Sequence, residues 1–163
     1  IDMKKQKEID VYVSARCRIQ EEKGGYGYVI KSEGYNSMNK KTCSHTTSNR
    51  MEMKAVIDSM HEISNEITDA DIINIHTKQG PLITSMINGD CKMFHKRPNQ
   101  DLIRVAIKIK SSFGIYIFNI SVNQYEEMIL ANNLSQLALD ADVDCIDERD
   151  DDLPKSIDLL AGL

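Results

Sequence analysis

Near its start the chain alternates apolar and polar residues with a period of two, and later its apolar residues recur at helical spacing; the change of period marks out its elements. Residues 9–17, IDVYVSARC, put Ile9, Val11, Val13 and Ala15 on one face and Asp10, Tyr12, Ser14 and Arg16 on the other, as a strand does. After the turn signal EEKGG, a second strand runs through YGYVIKSEG, and the turn Gly34-Tyr35-Asn36 leads to a polar third strand over residues 37–44, suited to a sheet edge. Thr47 and Ser48 precede NRMEMKAVIDSMHEIS, where Met51, Ala55, Ile57 and Met60 recur at helical spacing; either hydroxyl suits the N-cap. Asp69 to Lys78 reads as a short buried strand, and Gly80-Pro81 opens a helix that Gly89 ends. Asn99-Gln100-Asp101 caps another helix with Leu102, Val105, Ala106 and Ile109 on one face. FGIYIFNIS (residues 113–121) reads as an apolar strand, and residues 123–140 as a last helix with Leu130, Leu134, Leu137 and Ala138 on one side. An antiparallel meander followed by βα units predicts an α/β domain, a five-stranded mixed sheet flanked by helices.

The 163 residues, 41% hydrophobic and 28% charged, suit one domain. No run reaches the roughly 20 apolar residues of a membrane span, and MKKQKEID lacks a signal-peptide core, so no membrane partner is expected. Ile1-Asp2 ahead of Met3 reads as a cloning scar within an N-terminal tail, residues 1–8, with an excised domain as the other reading. The net charge of −5 is uneven: Asp140 to Asp152 holds eight acids and one base, −7, which leaves +2 for the rest. This run reads as a solvated acidic linker (140–152) between a domain at 9–139 and an apolar peptide, Leu153–Leu163, suited to docking on this protein or on a partner. A near-neutral body is no general attractor of nucleic acid, so such binding must be local.

Cys17, Cys43, Cys91 and Cys145 form no C-x-x-C pair and no dense framework, which fits a reducing cytoplasm. Cys43 with His45 and Cys91 with His95 supply four zinc donors on paper. Their spacing is not that of a zinc finger, and free cysteines are commonly buried, so no metal is expected there.

The strings GGYGYVI (Gly24 to Ile30), TSNRMEMKAVI (Thr47 to Ile57) and NQDLI (Asn99 to Ile103), with the strand order, resemble the prokaryotic-type ribonuclease H family over about residues 9–138. That resemblance implies the ribonuclease H fold and a reaction in which two Mg²⁺ ions, held by four carboxylates, bracket the scissile phosphate of RNA in an RNA–DNA hybrid. The family's Thr-Asp-Gly-Ser matches Val13, Ser14, Ala15 and Arg16, so its first Asp is Ser14. Its Arg-Met-Glu is kept as Arg50, Met51 and Glu52. Its Thr-Asp-Ser matches Thr77, Lys78 and Gln79, so its second Asp is Lys78. Its last carboxylate matches Glu127, with Glu126 the adjacent alternative, and its proton-transfer histidine has no counterpart.

A lysine about 4 Å from a dication is opposed by roughly 8 kcal/mol at an effective dielectric of about 20. Alternatively, Lys78 pairs with Glu52 in the space the metals held. Asp10 lies about 13 Å along the strand from Ser14, and Asp71 at the far end of its own strand, so neither replaces a lost ligand. The remnant positions Ser14, Glu52, Lys78 and Glu127 are therefore expected to be catalytically inert.

The resemblance also matches Thr47, Ser48, Asn49, Arg50 and Asn99 to residues that contact the hybrid. The local alternative makes Thr47 or Ser48 an N-cap and Asn99 a helix start. Lys92, His95, Lys96 and Arg97 read as a solvated loop. The expected function is a non-catalytic ribonuclease H-like module that binds hybrid or duplex weakly, or a protein-interaction domain using Leu153–Leu163, with no cofactor. The alternative is an active endoribonuclease with a rearranged site, and only that reading requires Mg²⁺.

Overall fold

The computed structural model describes residues 6–67, 69–89, 98–113, 117–122 and 126–149. Strands β1 (Glu8–Arg18), β2 (Lys23–Ser32) and β3 (Tyr35–Ser44) form the meander, followed by α1 (Ser48–Glu66) and β4 (Ile72–His76). Helices α2 (Gly80–Asn88) and α3 (Gln100–Ser111), strand β5 (Ile117–Ser121), helix α4 (Glu126–Asp140) and strand β6 (Cys145–Ile146) complete the chain order. The sheet runs β5-β4-β1-β2-β3-β6, with β1–β2 and β2–β3 antiparallel and the β1–β4, β4–β5 and β3–β6 pairs parallel. Among the described residues it therefore has six strands, the five expected and one more. The ladder β4-β1-β2 sits at the middle of the sheet, and β1 is covered on both faces. Ile9, Val11 and Val13 join Ile30, Ile73, Ile75 and α1's Met53, Val56 and Met60 in the main core, while Tyr12 and Val29 meet α4's Met128, Ala131 and Leu134 on the other face.

The glycines of GGYG allow this double covering. A Cβ on Gly25 would lie 2.8 Å from the Ser135 carbonyl oxygen, and one on Gly27 would lie 2.8 Å from that of Ala131, so the α4 backbone rests directly on β2. Gly24 faces the other way, where a Cβ would meet Met51 Cγ at 2.7 Å. The buried stripe of α4 is Met128, Ala131, Leu134, Ser135, Ala138 and Leu139, and it includes Leu134 and Ala138 of the face expected from the sequence. Leu137, expected inside, is 58% exposed. On α3 the buried set is Leu102, Ile103 and Ala106, and Val105, also expected inside, faces solvent because α1 and α2 cover only one side of the helix.

The acidic segment departs most from expectation. Residues 141–149 are no solvated linker: β6 pairs with the last two residues of β3, Cys43 and Ser44, leaving the rest of that strand at the edge as expected, and the Asp144 N–H donates to the Thr42 carbonyl at 2.8 Å. Asp147 is buried, and the folded body runs beyond residue 139. Like charges fail to keep a segment in solvent when buried cations supply a favourable destination. The expectation of free cysteines is corrected as well, since Cys43 and Cys145 are joined in a disulfide and Cys17 is free. Residues 1–5, Cys91, His95, the 92–97 loop and Leu153–Leu163 lie outside the described residues. Among the described residues no helix is long and apolar enough to cross a membrane.

Candidate active site and nucleic-acid surface

Glu52 sits in the second turn of α1, with a solvent exposure of 3%. The Thr77 hydroxyl donates to its Oε1 at 2.6 Å, and that same hydroxyl oxygen accepts from the Gln79 N–H at 3.0 Å. Burial pushes the Glu52 carboxyl up to about 7, against the opposing pull of the Thr77 hydrogen bond and the Lys78 charge. Lys78 is exposed and acts on Glu52 only through space, so Thr77 is the bonded partner rather than the ion pair considered from the sequence.

Ser14 is buried under α4. Its hydroxyl donates to Asn132 Oδ1 at 2.5 Å and lies 3.3 Å from the Ser135 hydroxyl. Glu127, expected to complete the carboxylate set, instead pairs with Lys31 at 3.2 Å, and its backbone N–H and that lysine hold its carboxyl below the usual range. Lys31 faces Asp10 across the β1–β2 ladder, four residues down the strand from Ser14. The small-residue seat of α4 on Gly25 and Gly27 thus brings Asn132, not Glu127, opposite Ser14. Glu126 is exposed in the first turn of α4.

These donors do not fit two adjacent dications. A hydroxyl, an amide and one carboxylate, with the Lys78 charge nearby, cannot offset their charge, and no metal-dependent step follows from them.

The same sheet face carries a polar lattice that the sequence pattern did not single out. Asp10, Asn74 and Asn119 stand in one cross-strand row, and Tyr12, His76 and Ser121 in the next. His76 Nε2 is 2.9 Å from Asp10 Oδ1, its Nδ1 is 3.0 Å from the Ser121 hydroxyl, and its ring stacks on Tyr12 with centroids 4.3 Å apart. Asp10 is therefore satisfied within this lattice. His76 shares the side-chain parity of Asn74 on β4, and that parity was the only trace of it in the sequence.

Arg50 is corrected as a surface contact. Its exposure is 1%: Nε donates to Asp147 at 2.8 Å, Nη1 and Nη2 donate to Asp101 at 2.9 and 2.8 Å, and Nη1 also reaches Asn99 Oδ1 at 3.3 Å. Thr46 Oγ1 and Lys54 Nζ reach Asp147 at 2.8 and 3.2 Å. Arg50, Thr46 and Lys54 hold the Asp147 carboxyl down at about 2 although burial opposes it. A guanidinium so fully engaged has no donor to spare for phosphate. Asn99 is half-buried in the left-handed region with φ 62°, its side-chain oxygen turned to Arg50. Thr47 is the N-cap, accepting from the Arg50 N–H at 3.2 Å. Ser48 and Asn49 are exposed in the first turn. Of the binding residues expected from the sequence, Thr47, Ser48 and Asn49 share the surface at the start of α1.

Residues 6–101 match the RNase H family. Ribonuclease HI of Campylobacter jejuni subsp. jejuni serotype O:2 is 27% identical over 116 residues, covering 69% of this chain and 77% of that protein. Among solved structures, RNase H1 from the halophilic archaeon Halobacterium salinarum superimposes with a TM-score of 0.60 at 18% identity, over 82% of this chain and 98% of that one. LC11-RNase H1, solved in complex with an RNA/DNA hybrid, gives 0.61 at 20% identity over 81% and 96%.

Proposed function

The chain belongs to the ribonuclease H family, and we propose that this member is a non-catalytic module that holds an RNA–DNA hybrid or duplex weakly, without cleaving it and without a metal cofactor. The make-up of the old site supports this reading: Ser14 is bonded to Asn132, which stands where Glu127 was expected, Glu52 is bonded to Thr77, and Lys78 brings a positive charge to the place of a metal ligand. The hybrid bound to LC11-RNase H1 supports nucleic acid as the partner. The exposed start of α1, with Thr47, Ser48 and Asn49, is the surface that would meet it.

The purified chain, incubated with a labelled RNA–DNA hybrid in Mg²⁺ or Mn²⁺, should release no product above background. Fluorescence anisotropy should detect weak binding whose dependence on salt reflects only a few phosphate contacts, at a slope of about −0.9 per contact. Mg²⁺-dependent cleavage that disappears in Glu52→Gln overturns the reading. Cleavage that survives Glu52→Gln and is lost in Asp10→Asn supports a rearranged hydrolase. Absence of binding at low salt turns the reading to a protein-interaction domain. Removing the acidic tail to reduce repulsion of phosphate requires a cut after Arg149, because a cut at Asp140 would also remove β6 and leave Arg50 without Asp147.

A further inference from the structure

Cys43 and Cys145 meet where β6 joins the sheet, and we propose that they form a reversible thiol–disulfide latch in which Cys145 takes up a small thiol and Cys43 resolves it. The two are direct partners in the parallel β3–β6 register, with Cα atoms 4.8 Å apart, inside the span of a disulfide. Their exposure differs: Cys43 is fully buried and Cys145 half-buried, so a reagent from solvent meets Cys145 first. They stand 102 residues apart in the chain, so the bond closes a long loop. Cys145 belongs to a strand of only two residues, held to β3 by few backbone hydrogen bonds beyond those of Asp144 and Asp147. The state of the bond therefore bears mainly on residues 141–149.

The chemistry balances with a small-molecule disulfide as oxidant. The Cys145 thiolate attacks one of its sulfurs and releases one small thiol, leaving a mixed disulfide. The Cys43 thiolate then attacks Cys145 Sγ and expels the second small thiol. In sum, two protein thiols lose two electrons and two protons, and the oxidant becomes two small thiols; a dithiol runs the exchange backwards.

Cys17 is excluded as the resolving thiol. It lies in the same cross-sheet row, but Gly24 on β2 stands between it and Cys43, which separates the two by about 10 Å. Burial, with the nearby Glu22 charge, also pushes the Cys17 thiol up, away from the reactive thiolate.

The test uses the full chain with oxidised glutathione. Thiol counting after denaturation should fall from four to two, and dithiothreitol should restore four. Cys43→Ser, lacking the resolving thiol, should gain one glutathione at Cys145 by intact mass and peptide mapping, and Cys145→Ser should gain none at Cys43. Hydrogen exchange in residues 141–149 should quicken at least tenfold on reduction, with the rest of the sheet unchanged. Four thiols persisting with the oxidant, or Cys145 left unmodified in Cys43→Ser, overturns the latch. So does exchange that quickens throughout the domain on reduction, which would make the bond a staple of the whole fold, or exchange in 141–149 that ignores the redox state.

Discussion

Arg50 and Glu52 are two residues apart on one helix and almost equally buried, at 1% and 3% exposure, yet their surroundings treat their charges oppositely. Arg50 looks toward α3 and the C-terminal segment, where Asp101 and Asp147 satisfy its guanidinium and push its pKa up despite burial. Glu52 looks toward the end of β4, where it has one hydroxyl partner and a lysine that acts only at a distance. A buried charge persists where its partners close the shell around it, and reverts toward neutrality where they do not. In the first region the partners are part of the chain. In the second, where the family resemblance puts acids at the positions of Ser14 and Lys78, the shell around Glu52 stays open.

The largest effect should come from breaking the compensated region. Arg50→Ala leaves the buried Asp147 with Thr46 and Lys54 alone and strips Asp101 of its guanidinium partner, and should cost about 3–5 kcal/mol in urea denaturation. A loss below about 1 kcal/mol would mean that the two regions do not differ as described.

Next in size are two pH dependences of opposite sign. The Glu52 carboxyl is raised in the folded state to about 7 from an unfolded value near 4.5, so the folded chain binds its proton more tightly. Stability from this group is complete below about pH 4.5 and is lost as pH rises toward 7, by about 3 kcal/mol. Glu52→Gln should therefore be the more stable protein at pH 8, and the advantage should vanish near pH 4. Asp147 runs the other way. Its carboxyl is lowered to about 2 from 3.8, so its contribution, about 2 kcal/mol, is present above pH 4 and lost as pH falls through 2. Tm measured from pH 2 to 8 for the wild type, Glu52→Gln and Asp147→Asn separates the two. A Glu52→Gln variant that is less stable than wild type at pH 8 would show that the Glu52 charge is compensated after all.

The strands β1 to β3 and helix α1 were legible in the sequence because period two and helical spacing are local signals; Glu52 stood in one of the strings that carry the family resemblance, while Ser14 and Lys78 were matched only by their positions in strands one and four. The seat of α4 was legible in part: Leu134 and Ala138 are buried as its spacing suggests, but the close approach depends on Gly25 and Gly27 admitting a helix backbone, and Leu137 is left exposed. The match to the family's motif, a separate inference, placed Glu127 where Asn132 stands. Asp147 was hidden for another reason: a run of acids reads as solvated unless its cations are known, and Arg50 lies 97 residues earlier in the chain. The Cys43–Cys145 pairing was equally out of reach, since spacing does not determine connectivity.

The smallest effects sharpen the comparison at the surface beside Arg50, where capping and nucleic-acid contact are competing roles for neighbouring residues. Thr47 accepts the Arg50 N–H and so fixes the first turn of α1; Thr47→Ala should cost about 1 kcal/mol, and Thr47→Ser should recover most of it. Asn49 is exposed in that turn and does not cap it, so Asn49→Ala should leave Tm within about 1 °C, because surface substitutions of this kind change stability by less than about 0.5 kcal/mol. If the start of α1 meets the hybrid, Asn49→Ala should still weaken hybrid binding, by roughly 2- to 10-fold, the equivalent of about one hydrogen bond. Thr47→Ser should bind like the wild type. Anisotropy and thermal melts on the same three preparations read both quantities. Should Asn49→Ala bind like the wild type while Thr47→Ala loses affinity only in proportion to its loss of stability, the start of α1 is a helix cap alone, and the nucleic-acid surface lies elsewhere on the domain.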